Sequence, residues 1–328
     1  MLPPDLRTAA LIPVPSKPDF HSTYSMTRRV DDIAIYAAPV IFVVLWASGF
    51  VSGKYGLPYA APFTFLSMRM IAVVVILTLI IFLMRPPWPD ETSVRHSVVT
   101  GVLMHGCYLG GVFYSIYHGL PPALSALIVC LQPLVTSTVA NRVLGETVIL
   151  RQWIGLVLGL IGVFFVVYAN IQGGAEAPVS AWVAAFIGLA GITAGTIFQK
   201  RFGGAIDWRP NFLIQYAAAG IIFCAGAILF ERTVVYWNIH FIGALAWTVF
   251  VLSLGAIWLL YYLIARSAAT RVTSLFYLVP PVTAIEAWII FGDQLDKLSI
   301  AGMAACAAGV FLVNSPSRES APGAGSAA

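Results

Sequence analysis

The sequence has little charge and few cysteines. Asp, Glu, Lys and Arg make up only 10% of the 328 residues, whereas hydrophobic residues make up 59%. Because soluble domains carry about 25% charged residues, this composition excludes a water-soluble globular protein and indicates a membrane protein. The four cysteines lie in apolar stretches without CxxC spacing: Cys107, Cys130, Cys224 and Cys306. They are typical of small packing residues, and the sequence predicts no redox site.

Motifs of intramembrane enzymes are also missing. No apolar stretch contains DxxD, HExxH or a comparable cluster of metal-binding acids. Chemistry on phosphorylated lipids usually needs such a cluster or a basic phosphate clamp, so the alternative of an intramembrane lipid-modifying enzyme is disfavoured. The chain also lacks the charged rings and filter-like repeats of channels. We predict neither an enzymatic activity nor a cofactor or metal.

The sequence does contain a succession of long apolar segments. They approach the 20 residues or so that a helix needs to cross the hydrocarbon core, and they lack the polar–apolar alternation of a membrane β-barrel. The ten segments are residues 33–53, 61–84, 94–118, 121–143, 151–169, 180–200, 211–230, 239–265, 271–291 and 298–314. We therefore predict an all-α polytopic membrane protein with ten transmembrane helices.

Basic residues are distributed unequally between the two sides of this topology. Fourteen Lys and Arg fall in the two tails and the even-to-odd loops, three fall on the opposite side, and Arg69 lies inside the second span. This bias supports ten spans and predicts that both termini lie in the cytoplasm. Residues 1–32 and 315–328 are predicted to be disordered cytoplasmic tails. The net charge of +4 then reflects topology and not nucleic-acid binding.

Two stretches of the chain are copies of one another. Residues 123–166 and 270–313 align without a gap at an offset of 147, with 11 of 44 pairs identical. Several identities fall at Gly and Pro, where the backbone is constrained. We predict two five-helix repeats, residues 33–170 and residues 171–314. Because five is odd, the second repeat must be inverted, which is the architecture of an alternating-access carrier around a central cavity.

The order and spacing of several motifs resemble the EamA-type branch of the drug/metabolite transporter superfamily. These motifs are Trp46–Phe50, Thr64–Arg69, Leu131–Leu134, Leu144–Glu146 and Gln152–Gly155. The resemblance covers residues 33 to 314 and implies a ten-helix inner-membrane exporter of small metabolites, in which helices 1–4 and 6–9 surround the cavity and helices 5 and 10 lie outside. The chain is most similar to broad-specificity and aromatic amino acid exporters.

That similarity implies an amino acid substrate, such as an aromatic residue, methionine or threonine, and we expect the transporter to function as a monomer in the bilayer. Within the carriers, a sugar-phosphate or nucleotide-sugar exchanger is the alternative. Such an exchanger would need several basic residues in its cavity, and Arg69 alone supports it poorly.

Polar and aromatic residues of the cavity helices are candidates for substrate binding. His105 and Tyr108 are three residues apart, so their rings are predicted to project together and to bind the polar ends of an amino acid. The alternative is a hydrogen bond from His105 that merely joins two helices. Further candidates are Trp46, Ser48, Gln132, Thr193, Thr196, Tyr261 and Tyr277.

Other residues are candidates for gating. Pro133 and Pro280, the latter followed by Pro281, occupy matched positions and should kink spans 4 and 9, either as hinges or as static bends. Arg69 and Glu286 lie roughly 7–12 Å from the same predicted surface. They could form an ion pair that closes the outer gate, or each could extend independently to the interface.

Two further pairs are matched by the repeat, and one acid is missing. Lys54 and Lys200 could be gate charges or could extend to their own interfaces, and Glu146 and Asp293 are predicted turn or capping residues. The first span lacks the carboxylate that small multidrug exporters of the superfamily use. Facilitated export, or proton coupling through His105, is therefore left open.

Overall fold

The computed structural model describes residues 37–49, 52–53, 56–120, 122–170, 177–203, 206–291 and 297–315. These residues form helices and loops, with one isolated antiparallel bridge between Ala60 and Val235 among them. From Pro39 onward the chain packs as one unit, and of the preceding unit only residues 37–38 are described. Apart from Ser315, the predicted tails lie outside the described residues, as do Lys54 and Asp293.

Helical segments follow one another in the described ranges, one for each predicted span. They are α1 (37–49), α2 (Pro62–Met84), α3 (Glu91–Tyr117), α4 (Pro122–Val129 and Gln132–Leu144), α5 (Leu150–Asn170), α6 (Val179–Phe202), α7 (Trp208–Phe230), α8 (Ile239–Arg266), α9 (269–291) and α10 (Lys297–Asn314). Seven of these are long and apolar enough to cross a membrane, and α1, α4 and α5 contain shorter apolar helices. Large apolar side chains such as Phe82, Ile228 and Phe230 are exposed on the outside of the bundle, as expected for contact with lipid. The predicted polytopic helical fold is confirmed.

Helix starts follow local capping chemistry. The Asp90 side chain accepts a hydrogen bond from the Ser93 N–H at the start of α3, and the Asn238 side chain accepts one from Phe241 N–H at the start of α8. Asp207 precedes α7 and accepts hydrogen bonds from the Arg209 backbone N–H at 3.0 Å and Nε at 2.9 Å. These hydrogen bonds hold the pKa of the Asp207 carboxyl below its usual range.

The packing of α5 against α10 shows the inversion directly. A Cβ built on Gly155 would lie 2.7 Å from the Gly309 carbonyl oxygen, and one built on Gly309 would lie 2.6 Å from that of Gly155. Farther along, a Cβ on Gly162 would lie 2.6 Å from Gly302 O. From residue 155 to residue 162 of α5, the contacted residue of α10 changes from 309 to 302, so the two helices are antiparallel. Because 155 matches 302 and 162 matches 309, each contact is the repeat-related copy of the other.

Irregular helix geometry recurs at matched positions of the two repeats. α4 is interrupted at residues 130–131, just before Pro133, and α9 passes through the 3₁₀ turn Leu275–Leu278 just before Pro280 and Pro281. A proline has no N–H to donate and clashes with the preceding turn. Both helices therefore depart from regular α-helical geometry at the sites where kinks were predicted.

α3 and α8 share a second irregularity, which the sequence did not predict. Val102–Cys107 of α3 and Thr248–Ala256 of α8 are π-helical, and residues 102–107 correspond to 249–254 at the offset of 147. π-helical turns are rare and often occur at functional sites. The corresponding helices of the two repeats thus contain π-helical turns at matched positions.

Carboxylates tie the repeats together near two helix starts. Glu146 accepts hydrogen bonds from the N–H groups of Ala269 (2.8 Å) and Thr270 (3.5 Å) at the start of α9. Glu231 accepts them from Phe63 N–H (2.8 Å) and Thr64 N–H (2.7 Å) at the start of α2. Glu146 is thus a capping residue, as predicted, although it caps a helix of the other repeat and not its own.

Candidate functional site

The π-helical turn of α3 lies where three helices approach closely. A Cβ on Gly101, just before this turn, would lie 2.5 Å from the Gln215 carbonyl oxygen of α7. On the other side, a Cβ on Gly191 of α6 would lie 2.7 Å from Leu103 O. The turn is therefore held between α6 and α7, and it positions His105 in the interior of the bundle.

Among the described residues, neither ring nitrogen of His105 forms a hydrogen bond of good geometry, and the side chain of Gln215 is a polar neighbour. The His105 side chain is fully buried, and the imidazole stacks on the Tyr216 ring with centroids 4.4 Å apart. The predicted alternative, a hydrogen bond from His105 to a tyrosine or serine, is not formed among the described residues. Because an unpaired buried polar group costs about 1–3 kcal/mol, His105 remains a candidate binding residue.

Arg69 lies beside the same tyrosine. Its side chain is only 4% exposed, and its Nε donates to the Ser253 hydroxyl at 2.8 Å. The Tyr216 hydroxyl donates to the Ser253 carbonyl oxygen at 2.9 Å, so α2, α7 and the π-helical turn of α8 meet here. Arg69 is also close enough to Tyr108 to interact with it electrostatically.

The predicted ion pair between Arg69 and Glu286 is not formed. α2 packs against α7 and the π-helical turn of α8, which directs the Arg69 side chain toward Ser253 and not toward α9. Glu286 Oε2 is buried without a hydrogen-bond partner. In this conformation Arg69 belongs to the interior polar group and does not close a gate with Glu286.

Tyr108 contributes to an aromatic wall. Its ring stacks on Trp46 of α1 with centroids 6.2 Å apart, and Trp46 meets Phe276 of α9 edge to face at 5.3 Å. His105 faces α7 whereas Tyr108 faces α1, so the two rings do not project onto one neighbour as ideal helical spacing predicted. The π-helical turn between them accounts for the difference, because it changes the angular step per residue.

A chain of hydrogen bonds leads from this interior toward one end of the bundle. Asn211 Oδ1 accepts from the Ser97 hydroxyl at 2.8 Å and from Gln215 Nε2 at 2.7 Å. The Tyr261 hydroxyl donates to Gln215 Oε1 at 2.5 Å and lies 3.3 Å from Met104 Sδ, one residue from His105. Tyr261, a predicted site residue, thus joins α8 to α3 and α7.

Tyr261 also lines a cleft of about 290 Å³ between the ends of α6, α7 and α8. Asn211, Phe212 and Lys200 line it as well, on the side predicted to be cytoplasmic. Lys200 Nζ donates to the carbonyl oxygens of Ile264 at 2.7 Å and Ser267 at 2.5 Å. Lys200 therefore caps the last turn of α8, as cations commonly do at helix C-termini, and does not extend freely to the interface.

A second polar group lies between α4 and α6. Gln132 Nε2 donates to Thr196 Oγ1 at 3.1 Å, whereas Gln132 Oε1 has no partner. The hydroxyls of Thr136 and Thr193 are also buried without a partner. The structure therefore joins the predicted residues Gln132 and Thr196 by a hydrogen bond between α4 and α6, whereas Thr193 is buried and forms no hydrogen bond with Gln132 within the described part of the chain.

Two predicted site residues lie elsewhere. Ser48 accepts from Trp247 Nε1 at 2.8 Å and donates to Leu45 O, so it belongs to the contact between α1 and α8. The Tyr277 ring packs on α5, where a Cβ at Gly159 would lie 2.5 Å from it, and its buried hydroxyl has no partner. Neither residue belongs to the group around His105.

Sequence reasoning missed four residues of the interior polar group: Asn211, Gln215, Tyr216 and Ser253. Asn211 and Gln215 are four residues apart in an otherwise apolar span, and polar residues at such spacing in a membrane helix are a recognisable signal. Tyr216 and Ser253 carried no such signal, because single Tyr and Ser residues are common in membrane helices.

The two halves of the chain match one family. The sequence profile of the EamA-like transporter family matches residues 33–168 and again residues 179–315. The chain belongs to the EamA-like transporter family. It is accordingly a membrane transporter and not an enzyme, and the predicted membership of the drug/metabolite transporter superfamily is confirmed.

Relatives of this EamA-like transporter align over most of their lengths. An uncharacterized transporter of Bacillus subtilis, YvbV, is 25% identical over 285 residues, which are 84% of this chain and 90% of the relative. A probable amino-acid metabolite efflux pump of Salmonella typhimurium is 23% identical over 282 residues, covering 83% of this chain and 92% of the relative. A solved crystal structure superposes with a TM-score of 0.71 at 17% identity, over 85% of this chain and 95% of the other, which shows the fold alone.

Proposed function

We propose that this transporter exports amino acids or closely related metabolites across the plasma membrane by alternating access. The observation that carries the proposal is the placement of a polar group, His105, Gln215 and Tyr216, beside the aromatic wall of Trp46 and Tyr108. An amino acid needs hydrogen-bonding groups for its polar end and an apolar wall for its side chain. The Salmonella relative, which is named as an amino-acid metabolite efflux pump, supports the same substrate class.

The irregular helices supply the movement that this proposal requires. α4 is interrupted just before Pro133 and α9 passes through a 3₁₀ turn just before Pro280, in opposite repeats and at matched positions. Bending at both irregular turns would exchange access between the two ends of the bundle while the interior groups stay near the centre. We further propose that a monomer is the transporting unit and that both termini are cytoplasmic.

Counterflow into proteoliposomes tests the function. Purified protein is reconstituted with unlabelled phenylalanine, methionine or threonine inside, and the uptake of the labelled amino acid is followed with and without a pH gradient. We expect counterflow of at least one of them, and a Trp46→Ala variant should reduce affinity for phenylalanine more than for threonine because it removes the aromatic wall. Lack of counterflow for every amino acid would refute the assignment.

A further inference from the structure

We infer that Arg69 and His105 form the subsite that binds the carboxylate of the substrate. The inference rests on the proposed function and assigns one end of the amino acid to two named side chains. The sequence predicted a gating role for Arg69. Its burial beside Tyr216 and Ser253 instead supports a role in substrate binding.

The guanidinium supplies a positive charge without a carboxylate partner among the described residues. Its Nε is engaged by the neutral Ser253 hydroxyl, and no ion pair of Arg69 occurs in the described part of the chain. Charged side chains inside membrane proteins face the bundle interior and mark substrate pathways. A buried arginine whose neighbours are two phenols and a hydroxyl is therefore prepared for an anion that arrives from outside the protein.

The imidazole supplies the second contact. Tyr216 touches both groups, since it stacks on His105 at 4.4 Å and hydrogen-bonds the same Ser253 as Arg69. A neutral imidazole has one N–H to donate and one nitrogen to accept, and neither forms a hydrogen bond of good geometry with a described residue. A carboxylate has two oxygens, so one can accept from the guanidinium while the other accepts from the imidazole.

The charge of the site favours a carboxylate over a phosphate ester. One guanidinium balances a monoanion, whereas a phosphate dianion would leave a charge uncompensated in the low-dielectric interior. The aromatic wall also begins next to the site, because Tyr108 lies near Arg69 and stacks on Trp46. An α-amino acid with an aromatic side chain can place its carboxylate at the subsite and its ring against the aromatic wall.

Tyr261 separates this subsite from the cleft. Its hydroxyl bonds to Gln215 and lies against Met104, while its ring meets Phe212 edge to face at 5.0 Å. Since Tyr261 holds the side chain of Gln215, which lies near the His105 imidazole, rotation of Tyr261 away from Gln215 would connect the cleft with the imidazole. Substrate then enters past Tyr261, with its carboxylate leading toward Arg69.

Competition by phenylalanine analogues tests the assignment in the wild-type protein. Inhibition of labelled phenylalanine counterflow is measured with phenylalaninamide and with phenethylamine, which keep the ring and the amine but lack the carboxylate. Because both analogues lose the charge-assisted hydrogen bonds of the carboxylate, they should inhibit about 10- to 100-fold more weakly than unlabelled phenylalanine. Equal inhibition by acid and amide would overturn the inference and leave the proposed function intact.

Variants test whether Arg69 is responsible for the preference for the acid over the amide. Arg69→Gln should abolish the preference for acid over amide, Arg69→Lys should retain part of it, and Arg95→Gln, which removes an exposed arginine, should leave it unchanged. If Arg69→Gln does not fold, the comparison of the analogues in the wild-type protein decides independently. If no amino acid gives counterflow, the proposed function and this inference fail together. If Arg69→Gln folds and still prefers the acid, only the inference fails.

Discussion

The glycine contact between α5 and α10 predicts a specific non-additive response to mutation. The Cβ of a Gly155→Ala variant would lie 2.7 Å from Gly309 O and 2.9 Å from Leu312 Cβ, whereas ordinary contact begins at 3.4 Å. The helices must therefore separate by roughly 0.7 Å along that contact, the difference between those distances. Overpacking of this kind costs about 1–3 kcal/mol, which corresponds to a loss of roughly 2–10 °C in apparent Tm.

The reciprocal variant should behave alike, since a Cβ on Gly309 would lie 2.6 Å from Gly155 O. Once one alanine has separated the helices, the second meets less resistance, so the double variant should lose less than the sum of the two single losses. Gly243→Ala is the control, because nothing lies within 4 Å of its Cβ position, and it should leave the apparent Tm unchanged or raise it.

The measurement is thermal unfolding of purified protein in detergent, followed by size-exclusion chromatography of the heated samples. Because unfolding of membrane proteins in detergent is often irreversible, all variants are heated at one rate and compared at one protein concentration. Additive losses, or a Gly155→Ala variant as stable as Gly243→Ala, would refute the close antiparallel contact and with it the packing that demonstrates the inversion.

Two further predictions concern the ends of α7 and α8. Lys200→Met removes the bonds to Ile264 O and Ser267 O, so the apparent Tm should fall by roughly 2–10 °C, whereas Arg201→Met, which loses one exposed bond, should change it by less than half as much. Equal effects would contradict the capping role. Asp207→Asn should lower stability at pH 7 by less than about 1 kcal/mol. The depressed pKa of Asp207 means that its charge stabilises above the unfolded pKa of about 3.9 and that this contribution is lost as the pH falls through the folded pKa. The difference between wild type and variant in thermal melts should therefore shrink as the pH is lowered below about 3.9, and a constant difference would exclude the charge as its cause.

Much of the fold followed from composition and pattern. The apolar segments located the described helices to within a few residues, and the matched prolines predicted the irregular turns in α4 and α9. The contact between the glycines of α5 and α10 was not predicted, although these glycines occupy matched positions. Span lengths and proline positions can be read directly from residue types. The π-helical turns of α3 and α8 cannot be predicted in this way, because their residues share no recognisable sequence pattern.

The candidate site was predicted less completely for the same reason. His105, Tyr108, Trp46 and Tyr261 were found because they are polar or aromatic residues in apolar spans. Their neighbours were not predictable, since the π-helical turn rotates His105 toward α7 and Tyr108 toward α1. Arg69 was assigned to a gate from its depth alone, whereas the packing of α2 against α8 decides what its side chain meets.

The inverted copies of the backbone specify what the opposite opening would be made of. Phe212 and Tyr261 line the present cleft, and at the offset of 147 their counterparts are Phe65 and Tyr114, also an aromatic pair. Phe65 is fully buried near the start of α2, which the Glu231 carboxylate anchors. If the two repeats exchange conformations in the proposed transport cycle, we expect Phe65 and Tyr114 to line the opposite opening, and movement of the start of α2 would break the hydrogen bonds that Glu231 accepts from Phe63 and Thr64.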